Sequence, residues 1–225
     1  MPVITYIAIA LGAYLLGSVP FGFLVAKVKG IDIRNVGSGN IGATNAMRVL
    51  GKPAGIFVLI MDALKGYLAC GVLPALIFNL LAPHGPSAFF QSEPVELQTR
   101  LTVLAGICAV LGHNYTCWLK FKGGKGIATS AGVYLALAPW AVLVALIVFI
   151  MALLLTKYVS VGSMAAAAAL SITVWIMTPH NLLLALVTTA LAAMAIYKHK
   201  SNIQRLIAGT ENRLGKKPDD KGGAK

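Results

Sequence analysis

The sequence has little charge. Only 12% of its 225 residues are Asp, Glu, Lys or Arg, against about a quarter in an average soluble domain. Apolar residues make up 58% of the chain, the mean hydropathy is +0.80, and apolar runs dominate from residue 3 to residue 197. This composition excludes an ordinary soluble domain and indicates a single integral membrane domain with a short polar tail.

Cysteines and targeting signals are also scarce. The three cysteines, Cys70, Cys108 and Cys117, have spacings that fit neither a disulfide framework nor a CxxC metal pair, and we predict that they are small core residues. The first apolar segment has no basic region before it, and Lys27 and Lys29 follow it. We interpret this segment as a retained helix rather than as a cleaved signal peptide.

Acidic residues are the scarcest charged type, since seven Asp and Glu stand against 19 Lys and Arg, a formal net charge of +12. In a membrane protein such an excess indicates topology first and an affinity for anions second. Three apolar runs, at about 3–26, 54–81 and 101–119, are long enough to cross a bilayer. An N-terminus outside the cell would place the segments after the first and third runs in the cytosol.

The positive charges favour this orientation. The inner segments 27–52 and 120–125 together hold eight Lys and Arg, whereas the outer segment 82–100 holds only Arg100. The basic C-terminal tail also lies inside if an even number of helices separates it from segment 120–125. Two or four further helices satisfy this condition, which gives totals of five or seven.

Each of the two remaining apolar stretches is interrupted by a proline, at Ala138-Pro139 and within the Thr-Pro-His-Asn segment 178–181. As one helix, residues 161–197 would span about 55 Å, which is too long for a bilayer. We therefore predict an all-α integral membrane protein with seven transmembrane helices (alternatively five), an N-terminus outside and a C-terminus in the cytosol. The fourth helix, 124–137, must then be short, tilted or enclosed by its neighbours.

The first polar segment, GSGNIGATNAMR, runs from Gly37 to Arg48 in a predicted inner loop. Glycines let the backbone approach a ligand, short polar side chains supply uncharged donors, and arginine is a planar cation. The candidate binding residues are Ser38, Gly39, Asn40, Thr44, Asn45 and Arg48. This set suits a phosphate group, and a flexible turn before the second helix is the alternative.

The second polar segment, GHNYTCWLKFKGGKGIATS, runs from Gly112 to Ser130. Its glycine loop opens into a helix, so loop amides and a helix N-terminus can surround an anion. The candidate residues are Gly123, Gly124, Lys125, Gly126 and Thr129. It is not a Walker loop, because Leu119 takes the first glycine position and Gly126 follows the lysine. A loop whose lysines only mark the inner side is the alternative.

Histidines, serines and one asparagine complete the candidates. His113, at the inner end of the third helix, can serve in proton transfer or in structure. In YVSVGS, Ser163 is a polar candidate and Ser160 a candidate helix N-cap. In KHKSNIQRLIAGTEN, His199 and Asn202 fall on one helical face. An interfacial amphipathic helix is the alternative for this last segment.

Asp62 and Lys65 lie three residues apart inside the predicted second helix. Charges within a membrane are costly, so they face a partner or a functional cavity. We prefer an internal ion pair that holds the bundle together, and a functional role is the alternative.

Four motifs follow one another between hydrophobic helices: GSGNIGATNAMR, GHN followed by FKGGKGIAT, YVSVGS, and HxxNIxRLxxGTEN. Together they closely resemble the bacterial acyl-phosphate:glycerol-3-phosphate acyltransferase family, PlsY. The resemblance covers most of the chain; the outer segment 82–100, which is longer than usual, and the tail after Arg213 depart from it. It implies transfer of an acyl chain from acyl phosphate to the 1-hydroxyl of glycerol 3-phosphate, giving lysophosphatidic acid and phosphate in phospholipid synthesis.

The resemblance also implies where the substrates bind. Glycerol 3-phosphate is expected near Ser38, Arg48, His199 and Asn202. Acyl phosphate is expected at the GGKG loop with Lys125, with Ser163 close by. No cofactor or metal is expected, because acyl phosphate is already activated and the enzyme needs only positioning, a base and charge stabilisation.

The base that activates the glycerol hydroxyl stays open at this point. No histidine in the chain is followed five residues later by aspartate, so the HxxxxD motif of other acyltransferases is missing. His199, His113 and the phosphate of the substrate are the candidates. Direct transfer is preferred to an acyl-enzyme at Ser38 or Ser163, since these serines lack an obvious His/Asp pair in sequence.

The expected location is the bacterial inner (plasma) membrane, with the active site at the cytosolic face. Residues 1–211 are expected to form one transmembrane acyltransferase domain and residues 212–225 a disordered basic tail. Expected partners are the two substrates, membrane lipid and, transiently, the soluble enzyme that forms acyl phosphate, but no nucleic acid. The rival interpretations are a transporter for phosphorylated anions and a non-catalytic scaffold that binds anionic lipid.

Overall fold

The computed structural model describes residues 3–81 and 94–215, which form helices joined by loops, with no strand among them. The helices are α1 (Val3–Ser18), α2 (Phe21–Val28), α3 (Ala43–Leu50), α4 (Lys52–Gly71), α5 (Leu73–Leu81), α6 (Val95–Asn114), α7 (Ile127–Leu137), α8 (Pro139–Thr156), α9 (Val159–Met177), α10 (Leu182–Lys198) and α11 (Lys200–Ile207). Most of the long outer segment and the end of the tail lie outside the described residues. The all-α prediction is confirmed for the described part.

Both predicted breaks are present. Helix α7 ends at Leu137 and α8 begins at Pro139, because proline disfavours helical backbone in the residue before it. Helix α9 ends at Met177, and α10 begins after Asn181, whose side chain accepts a hydrogen bond from the Leu184 amide at 3.0 Å. Each of the two long apolar stretches is therefore two helices.

Two further breaks lie inside runs that the sequence analysis treated as single helices. The first run breaks between α1 and α2 at Pro20, and the second breaks between α4 and α5 at Val72. The Lys65 ammonium donates to the Val19 carbonyl at 2.7 Å, so a carbonyl freed by the first break is satisfied. Each run nevertheless remains one apolar segment, Val3–Val28 or Lys52–Leu81.

Within the described residues, five helical segments are long and apolar enough to cross a membrane, or six if α10 and α11, bent by 51°, form one span. Helix α7, with 11 residues, covers only about 17 Å. It begins later than the predicted residue 124 because Gly126 adopts a left-handed conformation, with φ of 83°. Its Val133 and Tyr134 are buried among neighbouring helices, as expected for a short enclosed helix. The count of seven spans stays a prediction.

Helix α7 lies against α4 at very short range. A Cβ atom added to Gly132 would lie 1.8 Å from the Ala63 carbonyl oxygen, and one added to Gly66 would lie 2.2 Å from the Thr129 carbonyl oxygen. Glycines thus allow the two backbones to touch, which is how helices associate in membranes. This packing fixes the start of α7 beside the buried charges of α4.

The ion pair predicted inside the second apolar run is present. The Lys65 Nζ atom lies 2.8 Å from Asp62 Oδ1, and both side chains are at most 3% exposed. Helix α8, in contrast, buries only Ala141 and Ala145 and exposes its large aliphatic side chains. An apolar exposed surface around buried charges is typical of a bundle surrounded by lipid.

Candidate active site

One pocket of about 340 Å³ collects the polar motifs. It lies at the end of the bundle where α3, α7 and α9 begin and α10 ends. Residues from four segments far apart in sequence line it: 38–48, 125–128, 159–163 and 199–215. The structure therefore confirms that these motifs meet at one end of the bundle.

Eleven of the fifteen candidate residues line this pocket: Ser38, Asn40, Thr44, Asn45, Arg48, His113, Lys125, Gly126, Ser163, His199 and Asn202. Gly39, Gly123, Gly124 and Thr129 are not among the lining residues. Thr129 is fully buried. The pocket wall also contains apolar side chains, among them Leu59 and Phe149. Polar and apolar surfaces therefore meet in one site.

Asn45 organises the first motif. Its side-chain amide donates to the backbone carbonyls of Val36 at 3.0 Å and Asn40 at 2.9 Å, and its Oδ1 atom accepts from the Ser38 amide at 2.9 Å. Because both polar ends of the side chain are used inside the loop, Asn45 shapes the motif instead of offering donors to a ligand. Ser38 lies exposed on the resulting surface, and Arg48 is partly exposed beside it.

Arg48 and Lys125 give the pocket its positive charge. Within the described residues, neither side chain forms an ion pair. Partial burial lowers the pKa of the Arg48 guanidinium. Burial also lowers the pKa of Lys125 to about 8, an effect that the Glu211 carboxylate opposes and the guanidinium groups of Arg205 and Arg48 reinforce. Both groups are therefore mainly cationic at neutral pH and suited to a phosphate.

The glycine loop is hydrogen-bonded to the end of α6. The Gly123 amide donates to the Asn114 carbonyl at 3.2 Å, and the Gly124 amide donates to the His113 carbonyl at 3.0 Å. These two amides are used within the protein, which differs from the expected anion cradle. The part of this segment that lines the pocket is instead the Lys125 side chain and the first turn of α7, where helix amides lack partners within the helix.

The third motif begins α9. Ser160 is the second residue of this helix, so the alternative that it is the N-cap is wrong, because Tyr158 takes that position. The Ser163 hydroxyl lines the pocket and donates to the Val159 carbonyl one turn earlier at 2.9 Å.

His199 lies at the bend between α10 and α11 and is only 3% exposed. Its Nδ1 atom lies 2.8 Å from the Ala195 carbonyl oxygen. A carbonyl only accepts, so Nδ1 carries the proton and Nε2 is the acceptor in the neutral ring. Asn202, one turn later, accepts a hydrogen bond from the Lys125 ammonium through Oδ1.

Glu211 was missed by the sequence analysis, although it lies in the quoted ending motif. Its carboxylate accepts hydrogen bonds from Ser160 Oγ at 3.0 Å, Asn202 Nδ2 at 2.7 Å and Arg205 Nε at 2.7 Å. Burial alone would raise the pKa of this carboxyl, but the hydrogen bonds outweigh burial and lower it. A single acidic residue beside a basic helix was the available signal.

Residues 212–215, expected to begin a disordered tail, line the pocket. The Arg213 guanidinium donates to the Tyr158 hydroxyl at 3.0 Å, and the Leu214 amide donates to the Lys157 carbonyl at 2.8 Å. The start of the expected tail is therefore attached to the loop between α8 and α9. Residues 216–225 lie outside the described residues.

Fold and pocket together define an integral membrane protein with a cationic site beside an apolar wall. The family model for glycerol-3-phosphate acyltransferase matches residues 7–209. The chain therefore belongs to the glycerol-3-phosphate acyltransferase family, and it is an acyltransferase. The rival interpretations as a transporter or a scaffold are wrong.

Relatives of known name agree with this assignment. The glycerol-3-phosphate acyltransferase of Geotalea daltonii is 44% identical over 206 residues, which cover 92% of this chain and 96% of that protein. The enzyme of the same name from Trichlorobacter lovleyi is 46% identical over 203 residues, which cover 90% and 94%.

Two crystal structures of PlsY (YgiH), an integral membrane glycerol 3-phosphate acyltransferase, are similar to this fold. The glycerol 3-phosphate form has a TM-score of 0.79 and 37% identity, covering 93% of this chain and 96% of that chain. The lysophosphatidic acid form has a TM-score of 0.76 and 35% identity, covering 93% and 95%. The family resemblance of the four motifs is confirmed.

Proposed function

We propose that this acyltransferase uses acyl phosphate as its donor and acylates the 1-hydroxyl of glycerol 3-phosphate, releasing 1-acyl-sn-glycerol 3-phosphate and phosphate. The contact between Lys125 and Asn202 is the observation that carries this proposal. It joins the loop expected to hold acyl phosphate to the helix expected to hold glycerol 3-phosphate. Two phosphate-bearing substrates can thus lie side by side in one pocket.

The acceptor group consists of Ser38, Arg48, His199 and Asn202. All four line the same pocket, and Arg48 offers a planar cation suited to a bidentate contact with phosphate. Glu211 holds the Asn202 amide at 2.7 Å and so orients it toward Lys125. The lysophosphatidic acid and glycerol 3-phosphate forms of the related structures name a product and an acceptor that fit this reaction.

The donor group consists of Lys125, the first turn of α7 and Ser163. Lys125 and the helix N-terminus supply positive electrostatic potential for the phosphate of the donor. The alkyl chain requires apolar surface, and Leu59, Phe149 and Val159 provide it in the same pocket wall. Both parts of an acyl phosphate therefore find complementary surfaces.

The chemical step is a direct transfer. The 1-hydroxyl oxygen attacks the acyl carbonyl carbon, its proton passes to His199 Nε2, and the bond between the carbonyl carbon and the phosphate oxygen breaks. Lys125 stabilises the charge of the leaving phosphate. His113 is less suited as the base because its Nε2 faces Gly124: a Cβ atom on that glycine would lie 2.1 Å away. The acceptor's own phosphate is the alternative base.

The membrane arrangement is part of the proposal. Seven spans, an N-terminus outside and a cytosolic pocket in the bacterial inner membrane agree with the eight-to-one distribution of Lys and Arg over the loops. A cytosolic pocket would be open to glycerol 3-phosphate and to transient contact with the soluble enzyme that forms acyl phosphate. Accessibility labelling that places Ser38 and His199 on the outer side would overturn this arrangement.

A donor comparison tests the function. Purified protein in detergent receives glycerol 3-phosphate with acyl phosphate, acyl-CoA or acyl carrier protein in parallel, and lysophosphatidic acid and phosphate are measured. Of the three donors, we expect only acyl phosphate to give lysophosphatidic acid. Turnover with acyl-CoA but not with acyl phosphate would contradict the donor assignment. A His199→Gln variant separates the two bases, since near-normal kcat in this variant would assign proton transfer to the substrate phosphate.

A further inference from the structure

Asp62 and His113 face each other in the interior of the bundle. The Nδ1 atom of His113 lies 3.5 Å from Asp62 Oδ1, and the side chains are 5% and 3% exposed. The same Asp62 oxygen lies 2.8 Å from Lys65 Nζ. Lys65 thus compensates the charge of Asp62, while the same Asp62 oxygen lies against the Nδ1 edge of the His113 ring.

The opposite edge of the His113 ring supports the glycine loop. A Cβ atom on Gly124 would lie 2.1 Å from Nε2, which means that the Gly124 backbone lies directly against the imidazole. A Cβ atom on Gly123 would lie 2.0 Å from the His113 carbonyl oxygen. Two backbone hydrogen bonds, to residues 113 and 114, hold the loop in this place. The loop is therefore held by the backbone at the end of α6 and packs against the His113 ring.

Lys125 comes immediately after this contact. Its ammonium reaches Asn202 across the pocket, and its backbone position is set by Gly124 on one side and by the start of α7 on the other. A displacement of about 1 Å of a positioning group can cost roughly 10²-fold in rate. The location of the Lys125 charge is thus sensitive to what holds Gly124.

We propose that the buried Asp62–His113 pair positions the Gly123–Gly126 loop, and that it thereby sets the location of Lys125 for binding of the acyl donor. His113 is then a positioning residue and not the base. Its two ring nitrogens face Asp62 and Gly124, so neither is directed to the acceptor hydroxyl. This inference rests on the proposed role of Lys125 at the donor phosphate.

A pair of His113 variants separates the two edges of the ring. His113→Phe keeps the surface against Gly124 but loses the nitrogen that faces Asp62, and His113→Asn keeps a polar group near Asp62 but loses the outer part of the ring. We expect each to raise the KM for acyl phosphate about 10-fold or more, with a smaller fall in kcat because Lys125 also stabilises the leaving phosphate. The KM for glycerol 3-phosphate should stay near wild type. Lys122→Ala, an exposed neighbour of the loop, is the control without effect.

A double-mutant cycle tests the contact itself. Gly124→Ala should raise the KM for acyl phosphate because the new methyl group collides with the ring, and His113→Ala should raise it because the ring is lost. Combined, the two effects should not multiply, because the collision needs the ring and is absent once residue 113 is alanine. Multiplying effects in the double variant would overturn the proposal. So would a collapse of kcat with unchanged KM in both His113→Phe and His113→Asn.

Two further measurements keep the test decisive. Thermal unfolding in detergent shows whether each variant is folded. If a variant loses folded protein but its folded fraction has a normal KM for acyl phosphate, His113 has a purely structural role and the proposal is overturned. If the His113 variants do not fold, Gly124→Ala alone tests the proposal. An unchanged KM for acyl phosphate in this variant would show that the contact between Gly124 and the His113 ring does not position Lys125, and would overturn the proposal. A wrong donor assignment would appear already in the wild type, and the cycle is then measured with the donor that supports turnover.

Discussion

Two ion pairs show how differently the two ends of this molecule use charge. In α4, Asp62 and Lys65 are at most 3% exposed, and the pair adjoins the pocket. In α6, Glu96 and Arg100 also lie one turn apart, but their side chains are 77% and 59% exposed, at the start of the helix. The buried pair carries desolvation costs that only a defined geometry can offset, whereas the exposed pair is solvated and contributes little to stability.

The largest effect is expected when one member of the buried pair is removed. Asp62→Leu leaves the Lys65 ammonium buried without a carboxylate and should lower the free energy of unfolding by about 3–5 kcal/mol. The double variant Asp62→Leu with Lys65→Met removes both charges and should recover most of this loss. Unfolding in detergent measures the stability of the single and the double variant. If the single variant is as stable as the wild type, the buried pair contributes no more to stability than the exposed pair.

Loss of a pocket cation is next in size. Lys125→Ala and Arg48→Ala should each reduce kcat/KM by about 10²- to 10³-fold, or about 2.7–4 kcal/mol, because each removes a charged contact to a phosphate or a developing oxyanion. Steady-state rates of lysophosphatidic acid formation check this. The exposed Lys200, on the same end of the bundle, provides the matched control Lys200→Ala. Near-normal activity in both pocket variants would place the phosphate sites elsewhere.

A pH dependence of intermediate size should come from Lys125. Its pKa of about 8 means that the ammonium is charged below this pH and neutral above it. We therefore expect kcat/KM for acyl phosphate to fall about tenfold per pH unit above pH 8. Lys125→Arg stays charged and should move this fall to higher pH. A wild-type profile flat to pH 10 would contradict the assignment, after correction for donor hydrolysis measured without enzyme.

The smallest effect is expected at the exposed pair. Glu96→Gln should change the free energy of unfolding by no more than about 1 kcal/mol, and this difference should shrink further in high salt. Activity should be unchanged, since α6 begins far from the pocket. A loss comparable to that of Asp62→Leu would show that the exposed pair contributes as much to stability as the buried pair.

Local signals allowed much of the fold to be predicted. Pro139 and Pro179 mark helix ends because proline restricts the backbone. The residue types of the four motifs indicate a binding site. The breaks near Pro20 and Pro74 were missed because the apolar runs continue across them. Hydropathy measures what a segment contacts and does not report where its helix bends.

The sequence indicated which residues line the pocket, but not what each of them contacts there. Ser38, Arg48, Lys125 and His199 all line the pocket, and their roles there stay predictions. The internal use of Asn45 and the packing of Gly124 on His113 depend on contacts between segments, which the residue types do not encode. The same holds for Glu211, whose three donors come from two different helices.

The contacts of Arg213 with Tyr158 and of Leu214 with Lys157 hold the residues after Glu211 against the loop between α8 and α9. These residues form one wall of the pocket. Proteolytic cleavage after Glu211 would release this wall and open the site to water on that side.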